Sequence, residues 1–268
     1  MIRVGIVGCG TIGTQLSLAL QRRYARVSRI TALHDRDLPR AQALQRRLRH
    51  RPPIASLPQL IRRADLVLEA ASPSCVPSLV RRALRSGRSV MVMSVGGLLG
   101  LGDLRRLTGR SRARVYVPSG ALAGLDGIKA LAIGRIRRAS LTTSKPPRAL
   151  AGAPYVTRRR LNLAKLTRPT VIFSGSPRDI VKQFPQNTNV AAALALATGA
   201  PASRIRIRLV ADPSLRTNRH EVEVVGDCGR VRCAVDSRPS RNPKTSEIAA
   251  RSAVATLERI FGAAQIGT

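Results

Sequence analysis

Short apolar runs alternate with amphipathic stretches over the first 120 residues of the chain. The runs predict buried strands at 2–7, 29–33, 65–72, 89–97 and 113–120. The stretches between them predict helices near 11–23, 37–50, 75–86 and 101–109. Strands that alternate with helices form parallel sheets with right-handed crossovers. We therefore predict a parallel-sheet α/β domain over residues 1–118, joined by the last helix of the chain at 245–268.

The pattern of polar and apolar positions changes after Gly120. Nearly alternating segments predict strands at 138–145, 171–175, 204–212, 220–226 and 230–237. The last two flank "DCG" and are typical of a hairpin, whereas the apolar stretch 189–199 predicts a buried helix. The segment 146–169, rich in proline and basic residues, predicts an exposed connection. Residues 119–244 are thus expected to form a second, α+β domain with a mixed sheet.

Three glycines follow the first predicted strand, in the sequence "GIVGCGTIG". Between a strand and a helix, Gly8 allows a tight turn, Gly10 lets the backbone approach a pyrophosphate, and Gly13 lets the helix pack on the sheet. The helix that begins at Thr11 and Ile12 offers its N–H groups to the phosphates. The loop therefore predicts a Rossmann-type domain that binds a dinucleotide.

Asp35 ends the second predicted strand, 22 residues after Gly13. A carboxylate at this place accepts both ribose hydroxyls of NAD and repels the 2′-phosphate of NADP. Arg36 is its neighbour and offers a partner to such a phosphate. We expect NAD to be favoured and NADP to be tolerated. The alternative role for Asp35 is that of a helix cap.

The chain carries 47 lysine and arginine residues against 14 acidic residues, a net charge of +33. Such a field attracts polyanions. The basic residues are nevertheless spread over the predicted helices in pairs such as Arg22–Arg23 and Arg62–Arg63, which is typical of solvated faces. Three Tyr, three Phe and no Trp supply few platforms for base stacking. We expect nucleic acid to bind only nonspecifically.

Membrane and metal sites are not predicted. No run of 18 apolar residues is present, so we expect no membrane span. The four cysteines show no CxxC spacing and are interpreted as the reduced thiols of a cytoplasmic protein. Cys228 and Cys233 flank a turn, which leaves a disulfide or metal there as the less favoured alternative. No cluster of His, Cys and acidic residues has metal-ligand spacing.

Several stretches carry more polar residues than packing requires, and together they point to one family. They are "EAAS", "SVGG", "SGALAGLDG" (119–127), "FPQNTNVAAALALATG" (184–199), "LVADP", "NRHEVEV" (218–224) and "NPKTS" (242–246). With the glycine loop, they make the chain resemble the L-aspartate dehydrogenases over almost its whole length. The resemblance implies a homodimer of two-domain subunits that oxidises L-aspartate to iminoaspartate with NAD or NADP. Iminoaspartate hydrolyses to oxaloacetate and ammonia, or feeds quinolinate and NAD synthesis.

The resemblance also implies roles for individual residues. The backbone amide of Ala121 and the side chain of Asn189 contact the cofactor, and His220 is the active-site residue. His220 is the only histidine in the second half of the chain, and an imidazole with a pKa near neutrality suits the proton that the amine must lose. The alternative is a structural histidine that is hydrogen-bonded within the hairpin.

"NPKTS" is the candidate site for a substrate carboxylate. Lys244 offers a cation, and Thr245 and Ser246 offer hydroxyls and N–H groups at a helix start. Plain helix capping is the alternative.

Two other functions remain open at this stage. One is a related two-domain NAD(P) reductase of the homoserine or dihydrodipicolinate type, against which "NTNVAA" and His220 argue. The other is a non-catalytic, cofactor-sensing nucleic-acid binder, which the arginine excess favours and the polar motifs do not.

Overall fold

A computed structural model describes residues 1–109, 112–185, 188–238 and 246–267 of the chain. The chain divides into two compact units. The first comprises Met1–Pro118 and Ala250–Gln265, and the second comprises Ser119–Ala249 together with the chain end from Ile266. The segment 245–268, which the sequence predicts to join the first domain as a whole, is divided between the two units.

The first unit is built on a five-stranded parallel sheet. Its elements are β1 (Ile2–Val7), α1 (Thr11–Arg23), β2 (Ser28–His34), α2 (Leu38–Arg47), α3 (Leu57–Arg63), β3 (Leu66–Glu69), α4 (Val76–Arg85), β4 (Ser89–Val92), α5 (Leu104–Thr108) and β5 (Val115–Tyr116). The strand order is β2-β1-β3-β4-β5. The chain moves outward from β1 to β2 and then returns to the other side of β1, so the carboxyl end of β1 lies at a topological switch point. This is where open parallel sheets bind their ligands.

The predicted strands are present, but three are shorter than expected. The third ends at Glu69 and the fourth at Val92, because the backbone then turns into loops, including a 3-10 turn at Val95–Gly100. The short strand β5 has only two residues. Helix α3 was missed, although Ser56 and Gln59 form a capping box with a proline in the first turn, a recognisable start signal.

The second unit contains a five-stranded mixed sheet. Its elements are α6 (Leu125–Leu131), β6 (Ile136–Lys145), α7 (Pro154–Arg158), β7 (Thr170–Gly175), α8 (Pro177–Gln183), α9 (Asn189–Thr198), β8 (Ile205–Ala211), β9 (Asn218–Gly226) and β10 (Arg230–Ser237). The strand order is β10-β9-β6-β8-β7, with β6 and β8 parallel and the other neighbours antiparallel. The predicted fold class, a parallel sheet followed by a mixed α+β sheet, is confirmed.

The expectation that 146–169 is merely an exposed connection is wrong. The segment contains α7 and short 3-10 turns, and it buries Leu150, Val156 and Leu163. The ring of Tyr155 lies 5.6 Å from that of Phe173 and 5.2 Å from that of Phe184. Prolines and arginines dominate the composition, but apolar residues spaced six or seven positions apart anchor the segment.

The last helix, α10 (Glu247–Phe261), contributes to the core of the first unit. Its Ala253 and Leu257 are fully buried among Leu16, Leu20 and neighbouring apolar side chains. The hydroxyl of Tyr24 donates to the Glu258 carboxylate at 2.6 Å. Among the described residues, no helix combines the length and apolarity needed to cross a bilayer. All four cysteines are free thiols.

Candidate active site

The glycine loop has the shape that the sequence predicts for a phosphate cradle. Gly8 has φ of +93°, a conformation that L side chains rarely adopt. A Cβ on Gly13 would lie 1.8 Å from the Gly8 carbonyl oxygen, whereas a Cβ on Gly10 would meet no atom within 4 Å. Gly8 and Gly13 are thus required by the fold. Gly10 instead leaves open space over the backbone, which fits the close approach of a pyrophosphate.

Helix α1 begins directly at this loop. Gly10 is its N-cap, so no side chain caps the helix, and its first turn contains no acidic residue. The N–H groups at Thr11 and Ile12 therefore have no carboxylate from their own turn, and this positive end of the helix suits an anionic ligand.

Asp35 links the end of β2 to the glycine loop through hydrogen bonds. Its Oδ2 accepts the Cys9 amide at 2.7 Å, and its Oδ1 accepts the Asp37 amide at 2.9 Å. The cap of α2 is Asp37, which accepts the Arg40 amide, and not Asp35. The carboxylate of Asp35 lies at the switch point, half-buried, with lone pairs left for a ribose.

Glu69 is a buried carboxylate at the same sheet edge that sequence reasoning missed. Its Oε1 accepts the Ala71 amide and the Ser94 hydroxyl, each at 2.8 Å, and its Oε2 accepts the Ser94 amide at 2.9 Å. Burial raises the pKa of the carboxyl, and these donors oppose the shift. The signal was present in "LVLEAAS", where one acid interrupts an apolar strand. Glu69 holds the loops after β3 and β4 together.

His220 lies on the inner face of β9, next to Thr143 on β6. It is only 7% exposed, and its Nδ1 is 3.0 Å from the Thr143 hydroxyl. Burial, reinforced by the charge of Lys145, lowers the pKa of His220 to about 4. The expected pKa near neutrality is therefore wrong, because the sequence does not show how deeply the ring is buried or that a cation is its neighbour.

Lys145 is the second residue of this site that sequence reasoning missed. It ends β6, two residues after Thr143 and on the same face, and it is 9% exposed. Burial lowers the pKa of its ammonium group to about 8. In the sequence, a lysine that precedes two prolines indicates an exposed residue at the end of a strand. The position of Lys145 beside His220 becomes evident only from the strand register.

The remaining predicted residues belong to the second unit. Ala121 is buried and follows Gly120, whose φ of +64° makes the turn. Asn189 is exposed at the start of α9. Ser246 is buried, and its hydroxyl accepts the Ala249 amide at 3.4 Å, as in a helix cap. Lys244 and Thr245 lie outside the described residues.

Comparison with known proteins identifies the family. A model described as aspartate dehydrogenase, C-terminal, matches residues 126–260. The chain belongs to the aspartate dehydrogenase family. A second model, described as homoserine dehydrogenase, NAD binding domain, matches residues 8–118. This second model covers only the nucleotide-binding domain, whereas the aspartate dehydrogenase model covers the second half of the chain. The resemblance found in the sequence motifs is confirmed.

Individual relatives extend this similarity over the whole chain. L-aspartate dehydrogenase of Methanosarcina barkeri is 40% identical over 274 residues and covers 100% of both chains. L-aspartate dehydrogenase 3 of Bordetella bronchiseptica is 38% identical over 99% of this chain and 97% of its own. The crystal structure of aspartate dehydrogenase from Thermotoga maritima has a TM-score of 0.72 at 22% identity, with 100% of both chains covered. This family of oxidoreductases uses NAD or NADP, and the glycine loop described above fits such a cofactor.

Proposed function

We propose that this protein catalyses the NAD(P)-dependent oxidation of L-aspartate to iminoaspartate, which then hydrolyses to oxaloacetate and ammonia. The observation that carries the proposal is His220, a buried imidazole that stays neutral at physiological pH. It lies in a chain that is similar over its full length to proteins named L-aspartate dehydrogenase. Removing two hydrogens from an amino acid requires a group that takes a proton from the amine, and a neutral imidazole is such a group.

The glycine loop and Asp35 of the first unit would hold the cofactor. Gly8, Gly10 and Gly13, with the amides of Thr11 and Ile12, suit the pyrophosphate. Asp35 suits the adenosine ribose. The bound dinucleotide supplies the hydride acceptor.

Contacts of Ala121 and Asn189 to the cofactor are part of the proposal and rest on the family motif.

His220 would act on the substrate amine through its second ring nitrogen. When Nδ1–H donates to the Thr143 hydroxyl, Nε2 is left as an acceptor. In that tautomer, Thr143 orients the ring and leaves Nε2 able to take a proton. A role for Lys244, Thr245 and Ser246 in binding a substrate carboxylate is also part of the proposal and rests on the sequence motif.

A homodimer in the cytoplasm is also part of the proposal. The outer face of the second sheet carries both signs of charge, with exposed Arg206 and Arg208 on β8 and exposed Glu221 on β9. Glu223 on the same face is within 3.5 Å of Arg138, Arg230 and Arg232. A face with both signs suits a two-fold contact, in which the same patch meets itself.

The test is the absorbance of NADH at 340 nm with L-aspartate and NAD. A steady rise with L-aspartate, and none with D-aspartate or L-homoserine, is expected. Absence of any rise with either NAD or NADP, together with tight and salt-sensitive DNA binding, would instead support the cofactor-sensing nucleic-acid binder.

A further inference from the structure

The first four helices of the first unit end at the same edge of its sheet. Helix α1 ends at Arg23, and the amide of Ser28, which begins β2, donates to the Tyr24 carbonyl at 2.8 Å. Helix α2 reaches the same place, because the amide of Arg49, just after it, donates to Gln21 of α1 at 2.6 Å. Helices α3 and α4 end close before the starts of β3 and β4. This edge holds the amino ends of the parallel strands, whereas the glycine loop lies at the carboxyl end of β1.

Arginine side chains collect at this edge. The last turns of α1 and α2 carry Arg22–Arg23 and Arg46–Arg47, and the last turns of α3 and α4 carry two arginines each. One cation at a helix end is enough to complement the helix dipole. Further exposed arginines lie in the loops and at the start of β2, which helix capping does not explain. We call the group around α1 and α2 the arginine rim; it consists of Arg22, Arg23, Arg26, Arg29, Arg46, Arg47 and Arg49.

The charge of the arginine rim is not compensated by acids of the first unit. Among the described residues, the ion pairs between basic and acidic side chains involve none of the rim arginines. Acids at this edge already have other partners. Asp65 pairs with Arg3 and Arg88 at 2.7 and 3.2 Å. Glu258 accepts the Tyr24 hydroxyl at 2.6 Å. The rim therefore suits a partner that carries many negative charges.

Apolar side chains are exposed among the rim arginines. Val27 follows Arg26 and is 42% exposed, and Met1 is 75% exposed. The two chain segments are adjacent, because the Ile2 amide donates to the Val27 carbonyl at 2.7 Å. A cavity of about 310 Å³ opens beside them. Its lining includes Met1, Leu20, Ile30, Leu48, Arg29 and Arg49.

This combination favours a lipid surface over nucleic acid. Guanidinium groups bind the phosphates of either partner. Stacking of bases needs exposed aromatic rings, and Tyr24 at this edge is buried. Exposed aliphatic side chains and an apolar cavity instead suit acyl chains, and surfaces that combine basic and apolar residues bind at the bilayer interface. The cytoplasmic leaflet carries the anionic lipids that the arginines require.

We propose that the arginine rim and the exposed Val27 attach the first unit to the surface of a bilayer that contains anionic lipids. The guanidinium groups would bind headgroup phosphates, and Val27 with Met1 would enter the apolar boundary below them. Attachment of this kind lies on the membrane and requires no spanning helix. The glycine loop lies at the opposite edge of the sheet, so lipid and dinucleotide would not compete.

Val27→Trp gives a direct report on the bilayer, because the chain has no other tryptophan. With vesicles of phosphatidylcholine and phosphatidylglycerol, we expect its emission to shift to shorter wavelength and to be quenched by brominated lipid chains. Ile133→Trp, at a 91% exposed position of the second unit, is the matched control and should show neither effect. Vesicle binding with an unshifted Val27→Trp emission would overturn the proposal, and so would a failure to bind these vesicles.

Removing charge from the rim tests the role of the arginines. Arg46→Gln/Arg47→Gln takes charge from the rim, and Arg168→Gln/Arg178→Gln takes the same charge from exposed positions of the second unit. An arginine near an anionic surface contributes about 5-fold in affinity. In vesicle flotation at physiological salt, the rim variant should therefore bind about 20-fold more weakly, with an unchanged NAD Kd, and the control variant nearly as well as the natural protein. Equal losses in the two variants would show that only net charge matters and would overturn the proposal.

Binding of duplex DNA distinguishes a lipid surface from a surface for polyanions in general. Val27→Ser keeps the charge of the rim and removes the apolar side chain. We expect it to weaken vesicle binding several-fold and to leave the DNA Kd unchanged, whereas Arg46→Gln/Arg47→Gln should weaken both. If Val27→Ser binds vesicles as well as the natural protein does, the rim is a nonspecific polyanion surface and the lipid proposal is refuted. These measurements involve no turnover of L-aspartate, so their outcome is independent of the proposed function.

Discussion

The two sheets place polar residues at their strand ends in opposite ways. In the first unit, Asp35 and Glu69 are acids whose oxygens are occupied by backbone amides of neighbouring loops. In the second unit, His220 and Lys145 are bases buried side by side, and the nearby Ser237 hydroxyl has no partner within the described part of the chain. Acids that accept hydrogen bonds from backbone amides fix the loops, whereas a buried neutral imidazole can take up a proton. The first sheet thus shapes a cradle, and the second sheet holds the reactive groups.

The largest effect is expected from removing the imidazole. General acid–base groups contribute about 10²–10⁴-fold, so His220→Ala should lower kcat for L-aspartate by a factor in that range. NAD affinity should not change, because the glycine loop is independent of His220. The exposed His50 provides the matched control, and His50→Ala should retain full turnover.

The pH profile sharpens this prediction. The neutral form of His220 is present above a pKa of about 4, so activity that depends on it should be lost as the pH falls through that value and not near neutrality. A folded His220→Ala variant with most of its turnover, checked by circular dichroism and NAD titration, would contradict the role of the imidazole.

The scaffolding role of Glu69 can be tested through stability. In Glu69→Gln, an NH2 group replaces one of the two carboxylate oxygens. It would face either the Ser94 amide or the donors that now bind Oε1, so one buried donor is left without an acceptor. The free energy of unfolding should fall by about 1–3 kcal/mol. Because the pKa of Glu69 is raised in the folded protein, the natural chain loses part of its stability as the pH rises above the unfolded value of about 4.3. The cost of the substitution should therefore be larger at pH 4 than at pH 7 in chemical denaturation.

A second carboxyl of the same unit provides a control of opposite sign. Hydrogen bonding to Arg3 lowers the pKa of Asp65 to about 2. Its contribution to stability is complete above the unfolded pKa and is lost as the pH falls toward 2. The cost of Asp65→Asn should thus be larger at pH 7 than at pH 4. The same pH trend in both variants would refute the contrast between a buried and an ion-paired acid.

A smaller effect is expected at the residue that orients the imidazole. Thr143→Val keeps the shape of the side chain and removes the hydroxyl that is hydrogen-bonded to Nδ1 of His220. We expect kcat to fall about 10-fold, the lower end of the range for proton-transfer groups, with little change in the KM for L-aspartate. Thr143→Ser restores the hydroxyl and should recover most of the activity. Equal kcat values for the Val and Ser variants would show that the hydroxyl does not set the tautomer.

The sequence predicts the first site better than the second, for a physical reason. The glycine loop and Asp35 act through local backbone geometry, which spacing along the chain reveals. Lys145 and Ser237 come together with His220 only through pairing across three strands, and burial cannot be read from one residue type. Glu69 was missed for the same reason, because an acid in an apolar strand is interpretable only once its amide donors are known.

The smallest effect concerns the choice between NAD and NADP. In the structure, Asp35 accepts a hydrogen bond from the Cys9 amide of the glycine loop. In the proposed cofactor site, its charge would also repel the 2′-phosphate of NADP. Asp35→Ser removes both, so we expect it to raise the KM for NAD and for NADP together. Asp35→Asn keeps an oxygen for the Cys9 amide and removes only the charge. It should raise the KM for NAD several-fold and leave that for NADP equal or lower, with Arg36 available to the phosphate. The measurement is the ratio of kcat/KM for the two cofactors in each variant. If Asp35→Asn impairs both cofactors equally, Asp35 belongs only to the loop scaffold, and the ribose contact has to be assigned to another residue.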